Sequence, residues 1–386
     1  MKVAGLFAGI GGFESGFHAA GHETSLLCEI KPEAVRVLQE QFPGVPIDRD
    51  IRKLKAIPRD IDVVCGGFPC QDLSQAGKTS GLEGDNSGLI YEVLRLLNRR
   101  PRVPWVVLEN VPFMLQLNGG YAMREILDSL ESLGYRWAYR VVDSFSFGLP
   151  QRRERVFIVA SIDGHPEEAL LADDSPLERP TTDLRRLAHG FYWTEGTSGL
   201  GWAVDSVPTL KNGSTIGIPS PPAVLMPNGA IVKPDIRDAE RLQGFEADWT
   251  ISAEEVARSS MRWSLVGSAV SVPVAKWIGI RLSKPGRFDL ARCFDFPRFG
   301  KLPKACIGDK RGRYGVDISV DPVGMMPEHL KGFLRFPGMP LSLKATEGFY
   351  GRAQKARLRF ADGFLEAVQR HLAVISAADQ HQLALA

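Results

Sequence analysis

The segment Lys2-Val3-Ala4-Gly5-Leu6-Phe7-Ala8-Gly9-Ile10-Gly11-Gly12 decides the fold, because an apolar strand-like run passes directly into a glycine-rich loop and a helical pattern. Glycines at such a point let the backbone approach a ligand beside a helix N-terminus. The alternation of strands and helices continues to about residue 165. The predicted strands are 2–7, 24–29, 61–65, 105–109, 138–142 and 155–161, and the predicted helices are 33–41, 89–99 and 121–133. This order predicts an α/β fold with a mostly parallel sheet covered on both faces and ligands at the carboxyl ends of its strands.

The composition changes near Gly164. The next 70 residues are rich in proline, which predicts loops and short strands, and helical patterning returns at 253–258 and 273–281. We therefore predict a catalytic and ligand-binding domain over 1–165 that is completed by 265–282. A smaller, irregular domain follows over 166–264. Residues 283–386 form a C-terminal extension with an amphipathic stretch at 360–374.

Charge is divided unevenly along the chain. Residues 281–386 carry 18 basic and 10 acidic side chains, a net charge of +8, and residues 1–280 carry 29 basic and 35 acidic side chains, a net charge of −6. A basic extension suits a polyanionic partner, and solvated surface charge produces the same pattern. No run of about 18 apolar residues predicts a membrane span. The five cysteines include no CxxC pair, which disfavours a disulfide framework and a zinc site and favours the reducing cytoplasm.

Two nucleotide-binding signatures are incomplete. The loop after the first strand lacks the third glycine of G-x-G-x-x-G, because Glu14 stands there, which disfavours NAD. Residues 76–79 imitate the end of a P-loop, but Asp72 replaces its first glycine. Glu29 lies at the end of the second strand, where such folds bind ribose hydroxyls, and Asp50 is a candidate acceptor for an adenine amino group. A nucleoside bound without a phosphate fits this pattern.

Six segments carry a resemblance to a known family: FAGIGG (7–12), GFPCQ (67–71), ENV (109–111), QRRER (151–155), RLQGF (241–245) and GSAVSVPVA (267–275). In this order and spacing the chain resembles the DNA cytosine-5 methyltransferases from residue 1 to about 282. The resemblance implies a Rossmann-like methyltransferase fold that uses S-adenosylmethionine, with 166–264 as the target recognition domain. Thr209-Leu210 is similar to a pair common in such domains. The implied reaction is methyl transfer to carbon 5 of a cytosine flipped out of duplex DNA.

The resemblance also implies roles for individual residues. Carbon 5 of cytosine is too weak a nucleophile unless a thiolate first adds to carbon 6, and Cys70 is implied as that thiolate. Glu109 is implied as the acid at N3, Arg155 as a group near the target base, and Arg153 as a residue that positions neighbouring backbone. The residues implied for S-adenosylmethionine are Phe7, Gly9, Gly11, Gly12, Glu29, Ile30, Asp50, Ile51, Pro69 and Ser268. No metal is implied.

Other interpretations remain open on the sequence alone. Ser268 stands where the family usually has asparagine, which leaves a DNA-binding protein with a degenerate site as one alternative. An RNA cytosine-5 methyltransferase of the same fold is another. We expect double-stranded DNA as partner, a monomer, and a cognate restriction endonuclease as a further candidate partner. We also expect the basic extension to contact phosphates, for example through Lys310, Arg311 and Arg313.

Overall fold

The computed structural model describes residues 1–69, 89–99, 102–213 and 221–384. Its strands are β1 Lys2–Leu6, β2 Glu23–Cys28, β3 Ile47–Asp48, β4 Val63–Gly67, β5 Trp105–Asn110, β6 Arg136–Asp143, β7 Gln151–Arg152, β8 Glu154–Ser161, β9 His189–Phe191, β10 Trp202–Val204, β11 Val207–Pro208, β12 Ala223–Leu225, β13 Ile231–Lys233, β14 Cys293–Asp295, β15 Ala305–Asp309, β16 Gly312–Val316 and β17 Met339–Pro340. Its helices are α1 Gly12–Ala19, α2 Pro32–Gln41, α3 Leu89–Leu97, α4 Tyr121–Ser132, α5 Pro166–Leu170, α6 Ile236–Leu242, α7 Met261–Ser268, α8 Val272–Ser283, α9 Leu330–Phe333, α10 Leu343–Lys355 and α11 Phe364–Ala384. Short 3-10 helices cover Pro112–Leu115, Leu117–Gly120, Ser144–Ser146, Ile251–Glu255 and Leu290–Arg292. The predicted α/β class is confirmed.

The chain divides into two compact units. The first, the sheet unit, contains Met1–Phe147, Glu154–Pro176 and Ala269–Gly324. The second, the small unit, contains Gly148–Arg153, Leu177–Ser268 and Met325–Ala386. The C-terminal extension is therefore not a separate body, because its first part belongs to one unit and its second part to the other. No unit boundary falls at residue 283, where the extension was predicted to begin, and one falls inside the predicted extension, after Gly324.

The sheet unit is built on a ten-stranded sheet in the order β14-β16-β15-β6-β8-β5-β4-β1-β2-β3. Neighbours among β1 to β5 are parallel, whereas β8 is antiparallel to both β5 and β6. Strand β6 therefore runs in the same direction as β5. The carboxyl ends of β1 to β6 consequently lie along one edge of the sheet, which we call the site edge.

Apolar residues on both sides of the central strands explain why this sheet is buried. Val63 and Cys65 of β4 pack into one core, which also takes in Phe17 of α1 and Ile278 of α8. Val64 packs into the core on the other face, together with residues of α3 and α4. Strands buried on both faces read as continuous apolar runs, which is why they were visible in the sequence.

The extension adds strands that the sequence did not reveal. β15 pairs with β6, and β14 and β16 complete that edge of the sheet. In the small unit, β17 pairs with β13, and Phe349 of α10 and Phe364 of α11 pack with Phe191 of β9 in one core. The predicted amphipathic stretch at 360–374 thus corresponds to a helix, but it begins at Phe364 and runs further.

One stretch has the length and composition of a membrane span. It is Met261–Ser283, with a mean hydropathy of 1.3 in its most apolar window, and 67% of that window is buried inside the fold. It consists of α7 and α8, which are separate helices. Apolar core helices pass the same test, so this stretch is weak support for a membrane segment.

Candidate active site

The loop after β1 adopts backbone conformations suited to a close approach by a ligand. Phe7, Gly9 and Gly11 have φ angles of 54°, 57° and 84°. Such angles are uncommon for a residue with a side chain and mark strained positions that cluster at functional sites. Gly12 then begins α1 directly against the carbonyl of Val270, where a Cβ would collide with it. Packing thus requires glycine at positions 11 and 12, whereas at position 9 only the positive φ angle favours it.

Glu29 fixes this loop from the end of β2. Its Oε2 accepts the amide of Gly9 at 2.8 Å, and its Oε1 accepts the amides of Ile30 and Lys31 at 2.9 Å each. The carboxylate is 8% exposed, and Ile30 beside it is 58% exposed. An oriented carboxylate at a strand end, next to an exposed apolar side chain, fits a ribose hydroxyl and a purine ring. These residues therefore fit the nucleoside part of S-adenosylmethionine.

Two other residues predicted for the cofactor have different surroundings. The carboxylate of Asp50 binds the guanidinium of Arg52 through Nε and Nη2, each at 2.9 Å, and this hydrogen bonding holds the pKa of Asp50 below its ordinary value. Ile51 is 4% exposed and belongs to the hydrophobic core with Leu54. Asp50 is thus already paired, and Ile51 is a core residue rather than an open wall of a pocket.

Glu109 lies at the end of β5, opposite Gly67 of β4 in the register of the sheet. Its Oε1 pairs with Nε of Arg155 at 2.9 Å, and both side chains are mostly buried. Nη1 of Arg155 also donates to the carbonyl of Glu154 at 2.8 Å, which orients the guanidinium. A Cβ on Gly67 would lie 2.9 Å from Oε2 of Glu109. Glycine there therefore leaves room for the carboxylate.

Asn110 connects the ends of β4 and β5. Its Nδ2 donates to the carbonyl of Phe68 at 3.1 Å, and its Oδ1 accepts the amide of Val111 at 2.8 Å. Pro69 is exposed and follows Phe68. Cys70, the predicted nucleophile, lies outside the described residues. The structure nevertheless establishes that the chain leading to Cys70 leaves the sheet beside Glu109.

Arg153 has its hydrogen-bond partners in the small unit. It is 2% exposed, and Nη1 donates to the carbonyls of Leu210 and Gly267 at 3.0 and 3.3 Å. Oε1 of Gln151 accepts the amide of Leu210 at 2.8 Å. Arg153 therefore fixes the backbone of the Thr209-Leu210 segment and the end of α7. Ser268, the last residue of α7, is exposed and belongs to the same unit.

Glu14 is a buried carboxyl group that sequence reasoning used only to reject a dinucleotide fingerprint. It lies in the first turn of α1, 1% exposed, against Gly5 of β1. Its Oε2 has no hydrogen-bond partner among the described residues, and burial raises its pKa to about 8. The signal available in the sequence was a glutamate directly after an apolar, glycine-rich turn.

Cys28 and Cys65 are buried in the sheet, 3% and 0% exposed, and pack there as small core residues. Burial raises the pKa of both thiols, which disfavours their thiolate forms. Among the residues that the structure describes, no group of three or more His, Cys, Asp or Glu side chains is arranged to hold a metal ion.

Comparison with known proteins places the chain among methyltransferases. The family described as C-5 cytosine-specific DNA methylase matches residues 1–216. The chain is 43% identical to Type II methyltransferase M2.BsuMI of Bacillus subtilis (strain 168), over 96% of this chain and 98% of that protein. It is 29% identical to Type II methyltransferase M.MspI of Moraxella sp, over 73% of this chain and 70% of that protein. The crystal structure of the S. pombe Dnmt2 methyltransferase has a similar fold, with a TM-score of 0.53 and 14% identity over 74% of this chain and 99% of that one.

Proposed function

The chain belongs to the C-5 cytosine-specific DNA methylase family and is a DNA cytosine-5 methyltransferase, and from this premise we propose that Cys70, Glu109 and Arg155 perform the reaction. The observation that carries the proposal is the pairing of Gly67 with Glu109, because Cys70 follows Gly67 by three residues. The nucleophile and the acid thus come from neighbouring strand ends.

The thiolate of Cys70 forms a bond to carbon 6 of cytosine, and the electron pair of the 5,6 double bond moves toward carbon 5 and N3. Glu109 places a proton at N3 and so offsets the negative charge that develops on the ring. Carbon 5 then has enough electron density to accept a methyl group. Loss of the carbon 5 proton to water and departure of the Cys70 thiolate restore the 5,6 double bond, and return of the N3 proton to Glu109 leaves neutral 5-methylcytosine.

Arg155 positions Glu109 for this step. Its Nε lies 2.9 Å from the carboxylate, and its own orientation is held by the carbonyl of Glu154. A side chain fixed at both ends keeps the carboxyl group in one geometry, which lowers the reorganisation required in the transition state. The resemblance implied that Arg155 lies near the target base. We propose that it acts there by positioning Glu109.

Phe7, Gly9, Glu29 and Ile30 would hold the cofactor, S-adenosylmethionine. When bound, S-adenosylmethionine supplies an electrophilic methyl group on a sulfonium centre. Glu29 would accept from the ribose, and the aromatic ring of Phe7 and the exposed side chain of Ile30 would contact the adenine. The three amides bound to Glu29 support this assignment, since they keep the carboxylate fixed before the ligand arrives.

The substrate is duplex DNA from which the target cytosine is extruded. The small unit recognises the sequence, and Arg153 holds its Thr209-Leu210 segment in place. We further propose that the enzyme acts as a monomer in the cytoplasm beside a cognate restriction endonuclease. The Type II names of the relatives support that setting.

Covalent trapping tests the proposal. DNA containing 5-fluorocytosine lacks the proton that must leave carbon 5, so the enzyme remains attached to it through sulfur. The wild-type protein is expected to form this adduct with S-adenosylmethionine, and peptide mass mapping is expected to place it on Cys70. Cys70→Ser should form no adduct and transfer no methyl group, because a hydroxyl is far less ionised than a thiol at neutral pH.

Cys293→Ser is the matched control, because Cys293 is a partly exposed thiol on the added strand β14. It should trap and methylate DNA as the wild type does. An adduct on Cys28 or Cys65 would contradict the assignment of Cys70, and so would methyl transfer by Cys70→Ser.

A further inference from the structure

The loop between β14 and β15, residues 296–304, is fixed to the segment that follows Glu109. The amide of Leu302 donates to the carbonyl of Leu115 at 2.9 Å, and the Leu302 side chain fills the space beside Gly120. Nη2 of Arg124 donates to the carbonyl of Pro297 at 2.9 Å. These contacts hold both ends of the loop against the two 3-10 helices after β5 and the first turn of α4.

The direction of β15 places the carboxyl end of this loop at the site edge, and the loop reaches that edge from Asp295 of β14, which pairs with Tyr314 on the side of the 310–311 turn. β15 is antiparallel to β6, and Ala305 at its start pairs with Arg140 near the carboxyl end of β6. The carbonyl of Lys304 accepts the amide of Val141 at 2.7 Å. The turn at residues 310–311, between β15 and β16, lies at the opposite edge, because Gly308 pairs with Trp137 near the start of β6.

The loop exposes an aromatic ring between two cations. Phe299 is 90% exposed, and its neighbours Arg298 and Lys301 are exposed as well. Residues 296–304 contain no acidic residue, and a third basic residue, Lys304, pairs with Glu154 at 3.3 Å. Phe113 and Tyr121, in the segment to which the loop is fixed, are 54% and 56% exposed. Exposed aromatic rings stack on bases, and cations beside them bind phosphates, so the two together suit a nucleic acid.

We propose that the 296–304 loop contacts the DNA substrate next to the target cytosine. Arg298 and Lys301 bind backbone phosphates, and the ring of Phe299 packs on a sugar or base flanking the extruded nucleotide. This inference rests on the proposed function and adds a second DNA-binding element to the recognition by the small unit. The part of the extension that belongs to the sheet unit would thereby have a role in DNA binding.

Binding of duplex DNA as a function of salt tests the proposal. The double variant Arg298→Ala, Lys301→Ala should flatten the slope of log affinity against log salt by about 2, because each phosphate contact contributes nearly one unit. Phe299→Ala should weaken binding by roughly 5-fold to 150-fold, the range for loss of one stacked base, with a smaller change in the slope. The double variant Lys310→Ala, Arg311→Ala removes the same charge at the opposite edge and should change neither quantity.

Two further measurements distinguish a failure of the loop inference from a failure of the proposed function. S-adenosylmethionine binding and the melting temperature should match the wild type in all three variants, which shows that folding and the cofactor site are intact. If the wild type methylates DNA and the loop variants keep its affinity and slope, the loop makes no contact with DNA and the inference is overturned. If the wild type forms no adduct with 5-fluorocytosine DNA, the proposed function itself fails.

Discussion

Two regions of the sheet unit use charged side chains in different ways. At the site edge, Glu29 is held by three backbone amides and Glu109 by one guanidinium. In the added strands, Arg313 of β16 binds Glu131 through two nitrogens at 2.8 Å each and also pairs with Asp128, both on α4. The first arrangement fixes carboxylates at the edge where we propose that cofactor and cytosine bind, whereas the second fastens the added strands to a helix.

This difference shows that the net charge of the extension does not measure its affinity for DNA. Arg313 is 18% exposed in its side chain and is already neutralised by carboxylates. Arg311 pairs with Asp309 of the same hairpin, at the edge away from the site. Of the basic residues expected to contact phosphates, these two are therefore engaged within the fold, and Arg298 and Lys301 are better placed.

Glu109→Gln is expected to have the largest effect. The amide preserves shape but supplies no proton at N3, so methyl transfer should slow by about two to four decades, the usual loss for general acid catalysis. The measurement is single-turnover methylation of a duplex with saturating cofactor. Cofactor affinity should change little.

Glu131→Gln is the matched control for Glu109→Gln. It removes the same charge from a carboxylate that binds Arg313 instead of one at the site edge. It should leave the single-turnover rate unchanged. Equal rates for wild type and Glu109→Gln would contradict the role of Glu109 as the acid.

Glu14→Gln is expected to change how stability depends on pH. The pKa of Glu14 rises from 4.5 to about 8 on folding because the carboxyl is buried, with Glu29 adding repulsion. The folded state therefore keeps a proton that the unfolded chain loses, and stability falls as pH rises from about 5 to 8. The lost free energy is on the order of a few kcal/mol.

Chemical denaturation at pH 5.5 and pH 8 measures this dependence. The wild type should be less stable at pH 8 than at pH 5.5, and Glu14→Gln should show a much smaller difference because an amide does not ionise. Each protein is compared with itself at the two pH values, so the cost of burying the amide is the same at both and cancels. The same pH dependence in both proteins would show that Glu14 does not cause it.

The sequence predicted the central sheet well because its strands are buried on both faces. Each predicted strand in the first 165 residues is present, with shifts of a few residues, such as 155–161 against Glu154–Ser161. The strands β14 to β16 escaped prediction because they are short and contain exposed residues such as Phe294 and Tyr314. The pairing of β15 with β6, which brings the other two strands into the sheet, joins residues more than 160 positions apart in the chain, which no local pattern reveals.

In the candidate site, too, the sequence predicted individual residues but not their contacts with distant parts of the chain. Position at a strand end predicted Glu29, the family resemblance predicted Glu109 and Arg155, and the structure brings the last two together. Local pattern did not reveal that Arg153 holds backbone carbonyls of the small unit, because Leu210 and Gly267 lie 57 and 114 residues away. Each of these contacts depends on the three-dimensional arrangement of elements distant in the sequence.

Arg313→Ala is expected to have the smallest effect and tests the comparison most directly. Because the guanidinium binds two carboxylates and is mostly buried, its loss should lower the free energy of unfolding by about 1–2 kcal/mol. Arg313→Lys should recover only part of that loss, since an ammonium cannot pair with Glu131 through two parallel bonds. The slope of log DNA affinity against log salt should stay at the wild-type value. A slope flattened by about one unit with unchanged stability would show instead that Arg313 binds a phosphate and that the extension acts through its net charge after all.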